Sequence, residues 1–263
     1  MADPLKFSID GLVLDPGDAS LPLPDDGLLR GDGVFEVIRI YAGRPFALGL
    51  HLDRMERSAA AIELPLDRAA LTTEIEALLD SLDHPDCLLR VVQTRAGRRI
   101  GSIEPLPVHT ATIALATVTY SPTVILNGVK SLSYAANMQV TRLAKAAGAA
   151  EALFIRPDQV VLEAPTSSIF WATADGRLRT PAIEAGVLDS ITRRKVLERI
   201  EVEQGEFPLD DLLAAPEAFL ASTTREVQPI ERIDDRTYPE KPGPLTKAAA
   251  AAFTQALEEE LGA

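Results

Sequence analysis

Residues 28–41 constrain the chain more than any other stretch of it. From Val34 onward two sets of side chains alternate, Val34, Glu36, Ile38 and Ile40 against Phe35, Val37, Arg39 and Tyr41. A period of two puts the sets on opposite faces of a pleated strand. Ala42-Gly43-Arg44-Pro45 predicts a tight turn and residues 45–48 a return strand, which makes a hairpin. Gly31 and Gly33 flank Asp32, and that pair implies an unusual backbone or a close approach by another segment. A hairpin cannot bury a face alone, so the segments that follow must cover it. Residues 51–62 have the spacing to do so: Leu52, Met55, Ala59 and Ile62 fall on one helical face. His51, Arg54 and Ser58 lie on a neighbouring face. An arginine near a helix start adds to the positive end of the dipole unless an anion binds there. The plainer alternative is an exposed Arg54 paired with Asp53 or Glu56.

The rest of the first half reads as an α+β unit of residues 1–118. A first strand covers 7–14 with a turn at Asp10-Gly11, and residues 15–27, rich in Pro, Asp and Gly, form a loop. A second helix covers about 67–82 after Pro65, followed by a strand at 86–94, a basic loop at 95–99 and a strand at 110–118. Arg90, Arg95, Arg98 and Arg99 crowd into ten residues of a chain that carries 39 Asp and Glu against 26 Lys and Arg. They read either as a solvated hairpin loop or as a carboxylate-recognising cluster of guanidinium groups.

Residues 119–126, with Pro122, form a linker, and 127–263 a second domain. It opens on Val129-Lys130-Ser131-Leu132, ahead of a helix at 134–147 that has no charge before Arg142. Apolar surroundings disfavour the charged form of a lysine and free its amine for Schiff-base chemistry. Beyond Gly148 come a hairpin of 151–155 and 160–163 and strands at 169–173 and 178–180. Residues 186–193 lead into a helix capped by Ser190 or Thr192, whose free amides suit a phosphate. Strands at 219–224 and 228–233 precede a final helix from about 244, which holds the alanine-rich run 247–256.

A chain of 263 residues with 46% hydrophobic content can bury a sizeable core. Its net charge of −13 argues against nucleic-acid binding and against anchoring on anionic lipid. No apolar run approaches the roughly 20 residues needed to span a bilayer. Cys87 is the one cysteine, which rules out an intramolecular disulfide and fits a reducing compartment. The first ten residues lack the pattern of a signal peptide, so a soluble, cytoplasmic protein is expected. His51, His84 and His109 show no metal-ligand spacing, and no metal is expected.

Six motifs, in order, resemble those of the fold-type IV (class IV) pyridoxal-phosphate aminotransferases. They are Gly31-Asp32-Gly33-Val34-Phe35-Glu36, His51-Leu52-Asp53-Arg54, Lys130-Ser131-Leu132, and Glu163 followed by Thr166-Ser167-Ser168-Ile169-Phe170. Ile191-Thr192-Arg193 and Ser222-Thr223-Thr224-Arg225-Glu226-Val227 complete the set. The resemblance spans Gly31 to about Phe253. It implies two α/β domains with the active site in the cleft between them, pyridoxal 5′-phosphate as cofactor, and a homodimer whose sites are completed across the interface. It makes Lys130 the Schiff-base lysine and the acid/base at the substrate Cα. It gives Glu163 the pyridinium nitrogen, Arg54, Ile191, Thr192 and Thr223 the phosphate, and Phe35 and Thr224 the substrate side. The chain departs from the family pattern at Ala164, at Ser190 and at Arg30, where an aromatic residue is usual. Arg30 is expected to reach a partner's site as a carboxylate ligand, and Arg90 and Arg95 are further candidates.

Within the family, Ser131-Leu132-Ser133, Thr94-Arg95-Ala96-Gly97 and residues 222–227 resemble D-amino-acid transaminases most. The reading is transfer of an amino group from a D-amino acid to 2-oxoglutarate or pyruvate. Aminodeoxychorismate lyase is second, and a branched-chain or R-amine transaminase third. A non-catalytic protein on the same fold is disfavoured because Lys130 and Glu163 are both present.

Overall fold

The structure, a computed structural model, describes residues 5–83 and 86–262, so His84 lies outside the described residues. The chain divides into two compact units, Met1–Val108 with Val129–Tyr134, and His109–Gly128 with Ala135–Ala263.

The first unit is an antiparallel six-stranded sheet with helices on one face. The single strand expected over 7–14 is two, β1 (Lys6–Ile9) and β2 (Leu12–Leu14), paired antiparallel about the turn at Asp10-Gly11. Helix α1 (Asp26–Arg30) breaks the predicted loop; Asp25 caps it by accepting from the Gly27 amide at 2.7 Å. Then come β3 (Gly33–Tyr41), β4 (Arg44–Pro45), α2 (Leu48–Ala61), α3 (Arg68–Asp80), β5 (Cys87–Thr94) and β6 (Arg99–Glu104). The return strand after the turn is therefore only two residues long, because α2 starts at Leu48. The sheet order is β2-β1-β6-β5-β3-β4.

The alternation in β3 sorts as its period demands. Val34, Ile38 and Ile40 join Leu89, Val91 and Ile103 in a core covered by Leu52, Met55 and Ala59 of α2 and Leu71, Ile75 and Leu78 of α3. The glycine pair meets both requirements read from it: Gly31 has φ of 71°, and a Cβ on Gly33 would lie 2.5 Å from the Gln93 carbonyl oxygen. Strand β6 replaces part of the expected basic loop. Its arginine charges are met from afar, Arg98 by Asp10 at 2.5 Å and Arg99 by Glu74 at 2.8 Å. Cys87 is fully buried, and burial pushes its thiol up to about 11.

The second unit is built on an eight-stranded mixed sheet. Its elements are β7 (Ile113–Thr119), α4 (Ala135–Ala146), β8 (Glu151–Ile155), β9 (Ser168–Ala172), β10 (Leu178–Pro181), α5 (Ile191–Leu197), β11 (Val202–Gly205), α6 (Leu209–Ala214), β12 (Ala218–Ser222), β13 (Glu226–Ile233), β14 (Arg236–Thr237) and α7 (Pro244–Leu261). The order is β11-β10-β9-β12-β13-β7-β8, with β14 on β13. The expected boundaries need two corrections. Strand β7, assigned to the first unit from its place in sequence, pairs in parallel with both β8 and β13 of the second. Residues Val129–Tyr134, assigned to the second, belong to the first. For β7 the cause is that parallel neighbours need a long crossover connection, whose reach local patterning does not show. Residues 129–134 are drawn to the first unit by an antiparallel bridge from Ser131 to Val34. Ser190, one of the two proposed caps, caps α5.

Trp171, Leu153, Ile169, Leu220 and Tyr238 form the main core of this unit. Phe170 and Phe219 stack at 4.9 Å on its other face, against Ala249 of the alanine-rich α7. Among the described residues no helix is long and apolar enough to cross a membrane.

Candidate active site

In the first unit the site begins with a glutamate in an apolar set. Glu36 stands between Val34 and Ile38 on the core face of β3 and is fully buried. A buried carboxylate is stable only when paired and hydrogen-bonded, and the second stripe of α2 supplies both. Arg54 donates from Nε to Oε1 and from Nη2 to Oε2, each at 2.7 Å. His51 donates from Nδ1 to Oε2 at 2.7 Å. Burial would raise the Glu36 carboxyl, but the Arg54 charge and the hydrogen bonds outweigh it and hold it at about 2. Burial lowers the pKa of His51 and keeps the ring neutral, against the pull of Glu36. Arg54 is thus buried in a bidentate pair with Glu36 and does not lie exposed beside Asp53.

Ser58, one turn further along the same stripe, accepts from the Lys130 amide at 3.1 Å. The Lys130 carbonyl accepts from Phe35 N at 3.0 Å, and Leu132 N donates to the Gly33 carbonyl at 2.9 Å. The lysine segment is therefore bonded to β3 through its backbone, which leaves the side chain to project. Its Nζ lies 4.2 Å from the Phe35 ring centroid and 5.9 Å from that of Tyr134. The two rings meet edge to face at 5.3 Å. Arg90 approaches the same Phe35 ring, its Cζ 5.6 Å from the centroid, with Nε and Nη2 held by Glu104 at 2.6 and 3.1 Å.

The other two arginine candidates differ. Arg95 donates twice to Asp32, at 3.0 and 3.1 Å, and once each to the Ile62 and Glu63 carbonyls at 2.7 Å. Four of its five N–H groups close the end of α2 onto the Gly31–Gly33 turn. The Arg30 side chain is 77% exposed at the end of α1, touching Asp26 at 3.1 Å.

In the second unit the candidates gather where β9 and β12 run antiparallel. Ser168 stands opposite Ala221, which puts the turn before β9 beside the turn after β12. Glu163 precedes the first turn, and its Oε1 accepts from Leu188 N at 2.8 Å. Thr223 and Thr224 sit in the second, which closes through Glu226 at φ 56°. Ile191 and Thr192 open α5, where the first amides have no intrahelical acceptor. Three hydroxyls flank the two turns: Ser167, Ser168 and Ser222 are buried and their oxygens have no hydrogen-bond partner. Natural structures leave few such groups, and each implies a missing polar partner. The sequence reading quoted these serines only as part of motifs; their orphaned state depends on strand register and has no local signal.

In the first unit a half-buried lysine stands with its amine on aromatic walls, and in the second two polar turns are flanked by orphaned hydroxyls. Residues 33–233 match the amino-transferase class IV family, and the chain belongs to it. It is 31% identical to a D-alanine aminotransferase of Bacillus licheniformis, over 97% of this chain and 98% of that one. It is 32% identical to a putative branched-chain-amino-acid aminotransferase of Methanocaldococcus jannaschii, over 95% of each. It is 29% identical to an aminodeoxychorismate lyase of Bacillus subtilis, over 95% of this chain and 94% of that one. Among solved structures, a fold IV transaminase from Curtobacterium pusillum superposes with a TM-score of 0.83 at 30% identity, over 92% of each chain. Class IV aminotransferases use pyridoxal 5′-phosphate. The residues fit it: orphaned hydroxyls and helix-start amides suit a phosphate and ring substituents, and Glu163 offers a carboxylate to a pyridinium nitrogen.

Proposed function

We propose that this enzyme is a D-amino-acid transaminase that moves the amino group to a 2-oxo acid such as 2-oxoglutarate or pyruvate. One observation carries the reading: the Phe35 ring is shared by the Lys130 amine and the Arg90 guanidinium. That supports Arg90 as the carboxylate ligand, since its guanidinium and the Lys130 amine stand at the same aromatic ring. The D-preference rests on the three motifs quoted above and on likeness to D-alanine aminotransferases.

Bound pyridoxal phosphate supplies the electron sink that makes the substrate Cα–H acidic. Lys130 would anchor the cofactor, and its Nζ would serve as the acid/base for the substrate Cα proton. Glu163 would face the ring nitrogen and favour its protonated form. Ile191, Thr192 and Thr223 would hold the phosphate, with Arg54 as the cation beside it. Glu104 orients Arg90 toward the substrate carboxylate, and Thr224 meets the substrate through its backbone. Arg95 acts instead as a brace of the Gly31–Gly33 turn, since its donors are already taken. Arg30 serves a partner copy in a homodimer, and the cytoplasm suits a chain with one buried thiol.

The assay is formation of pyruvate and glutamate from D-alanine and 2-oxoglutarate. Arg90→Gln is expected to raise the KM of both substrates by about tenfold or more, the worth of a charged hydrogen bond, with a smaller change in kcat. An unchanged KM contradicts the role of Arg90. Arg30→Ala is expected to raise the KM for the 2-oxo acid alone among variants of exposed arginines, and a wild-type KM removes Arg30 from the site. Pyruvate and 4-aminobenzoate released from aminodeoxychorismate, with no D-alanine turnover, would replace the transaminase by the lyase.

A further inference from the structure

Arg225 has no part in the site described so far, yet it follows Thr224 directly in the turn between β12 and β13. Its side chain is only 10% exposed and faces Glu151 at the start of β8, itself 6% exposed, with Nη2 to Oε2 at 3.3 Å. Nη1 donates to Gln228 Oε1 at 2.6 Å and lies 3.3 Å from His109 Nδ1. Gln228 Nε2 in turn donates to the Thr110 carbonyl at 2.7 Å. Burial lowers the pKa of Arg225, and Glu151 opposes that shift. The second oxygen of Glu151 accepts from Thr141 Oγ1 of α4 at 2.8 Å and from Ala152 N at 3.1 Å. One turn earlier on α4, Asn137 donates to the Pro165 carbonyl at 2.9 Å, in the turn before β9.

Helix α4 therefore holds both turns that carry the orphaned hydroxyls. It holds one directly through Asn137 and the other through Thr141, Glu151 and Arg225. The second turn needs holding. It closes through Glu226 at a positive φ, which a residue with a Cβ adopts only when its surroundings over-determine it. A guanidinium that reaches Glu151, Gln228 and His109 at once over-determines it. Both terminal nitrogens of Arg225 are engaged this way, while its Nε is buried with no hydrogen-bond partner.

We propose that Arg225 is a positioning residue for the cofactor phosphate: clamped by Glu151, it holds the 222–226 turn in the shape that aims Thr223 at the phosphate. The proposal rests on the reading of Thr223 as a phosphate ligand.

The test is titration of the cofactor-free enzyme with pyridoxal 5′-phosphate and, separately, with pyridoxal, which lacks the phosphate. Affinity is read from the visible absorbance band, and the ratio of the two Kd values isolates the phosphate grip. Arg225→Ala is expected to weaken pyridoxal phosphate by about tenfold or more and pyridoxal by less than about twofold, since only phosphate contacts depend on the turn. Glu151→Gln, which keeps the Thr141 bond and removes the charge, is expected to move the ratio in the same direction. Arg225→Lys keeps the charge opposite Glu151 but loses the fork, and should fall between wild type and Arg225→Ala. It also carries the test if Arg225→Ala fails to fold. If the Arg225 variants shift both Kd values equally, or neither, while Thr223→Ala lowers the selectivity for the phosphorylated form, the clamp is wrong and the Thr223 assignment stands. If Thr223→Ala leaves the ratio unchanged, the phosphate reading fails and the proposal falls with it.

Discussion

Lys130→Ala is expected to abolish both the yellow colour and turnover, with kcat down by at least about 10³-fold, the scale of a lost acid/base before the covalent attachment is counted. The same variant should fold normally. The segment is bonded to β3 and α2 by backbone groups, Lys130 N to Ser58 Oγ and Phe35 N to the Lys130 carbonyl, and these survive truncation of the side chain. A melting temperature close to wild type, together with a colourless and inactive protein, is the expected pair of results. Turnover that survives would take the central role away from Lys130.

Glu36→Leu has the largest expected effect on stability. It leaves Arg54 buried without its carboxylate, and breaking one side of a buried ion pair costs about 3–5 kcal/mol. The change should appear in chemical denaturation as a lower midpoint at an unchanged slope. The same cluster sets a pH dependence. His51 has a folded pKa below its ordinary 6.5, so the unfolded chain binds a proton that the folded one refuses as pH falls below that value. Glu36, at about 2 against an ordinary 4.5, adds a second loss as pH falls below about 4.5 toward 2. Stability of the cofactor-free protein should therefore be flat from about pH 6.5 to about pH 9, above which the buried Cys87 thiol costs stability, and decline on acidification in two stages. His51→Gln, which can still donate to Glu36, should remove the first stage and keep the second. A first stage that persists in this variant would assign it to another group.

What the sequence disclosed follows physical range. The two faces of β3 and the apolar stripe of α2 were legible because period-two and period-3.6 patterns are local. Glu36 stood in the apolar set Val34, Ile38 and Ile40, but its pairing with His51 and Arg54 was not read, because Asp53 and Glu56 are nearer to Arg54 in sequence. Strand β7 was assigned to the wrong unit because its neighbours, β8 and β13, are set by parallel pairing across long connections. Strand β6 hid behind Arg98 and Arg99, whose partners Asp10 and Glu74 lie far away in sequence. Arg95 looked like a carboxylate ligand because local spacing cannot show that Asp32 and the end of α2 already take its donors. The Arg225–Glu151 pair, 74 residues apart, had no signal in the sequence at all.

The central claim, a lysine-anchored cofactor that accepts the amino group of a D-amino acid, is tested most directly by one absorption experiment. The purified enzyme, loaded with pyridoxal phosphate, is mixed with D-alanine or D-glutamate in the absence of any oxo acid. The account predicts that the visible band collapses to a near-ultraviolet band of the aminated cofactor, and that L-leucine leaves it in place. A band that responds to L-leucine and not to the D-amino acids would contradict it, and so would the absence of any visible band after the cofactor is added.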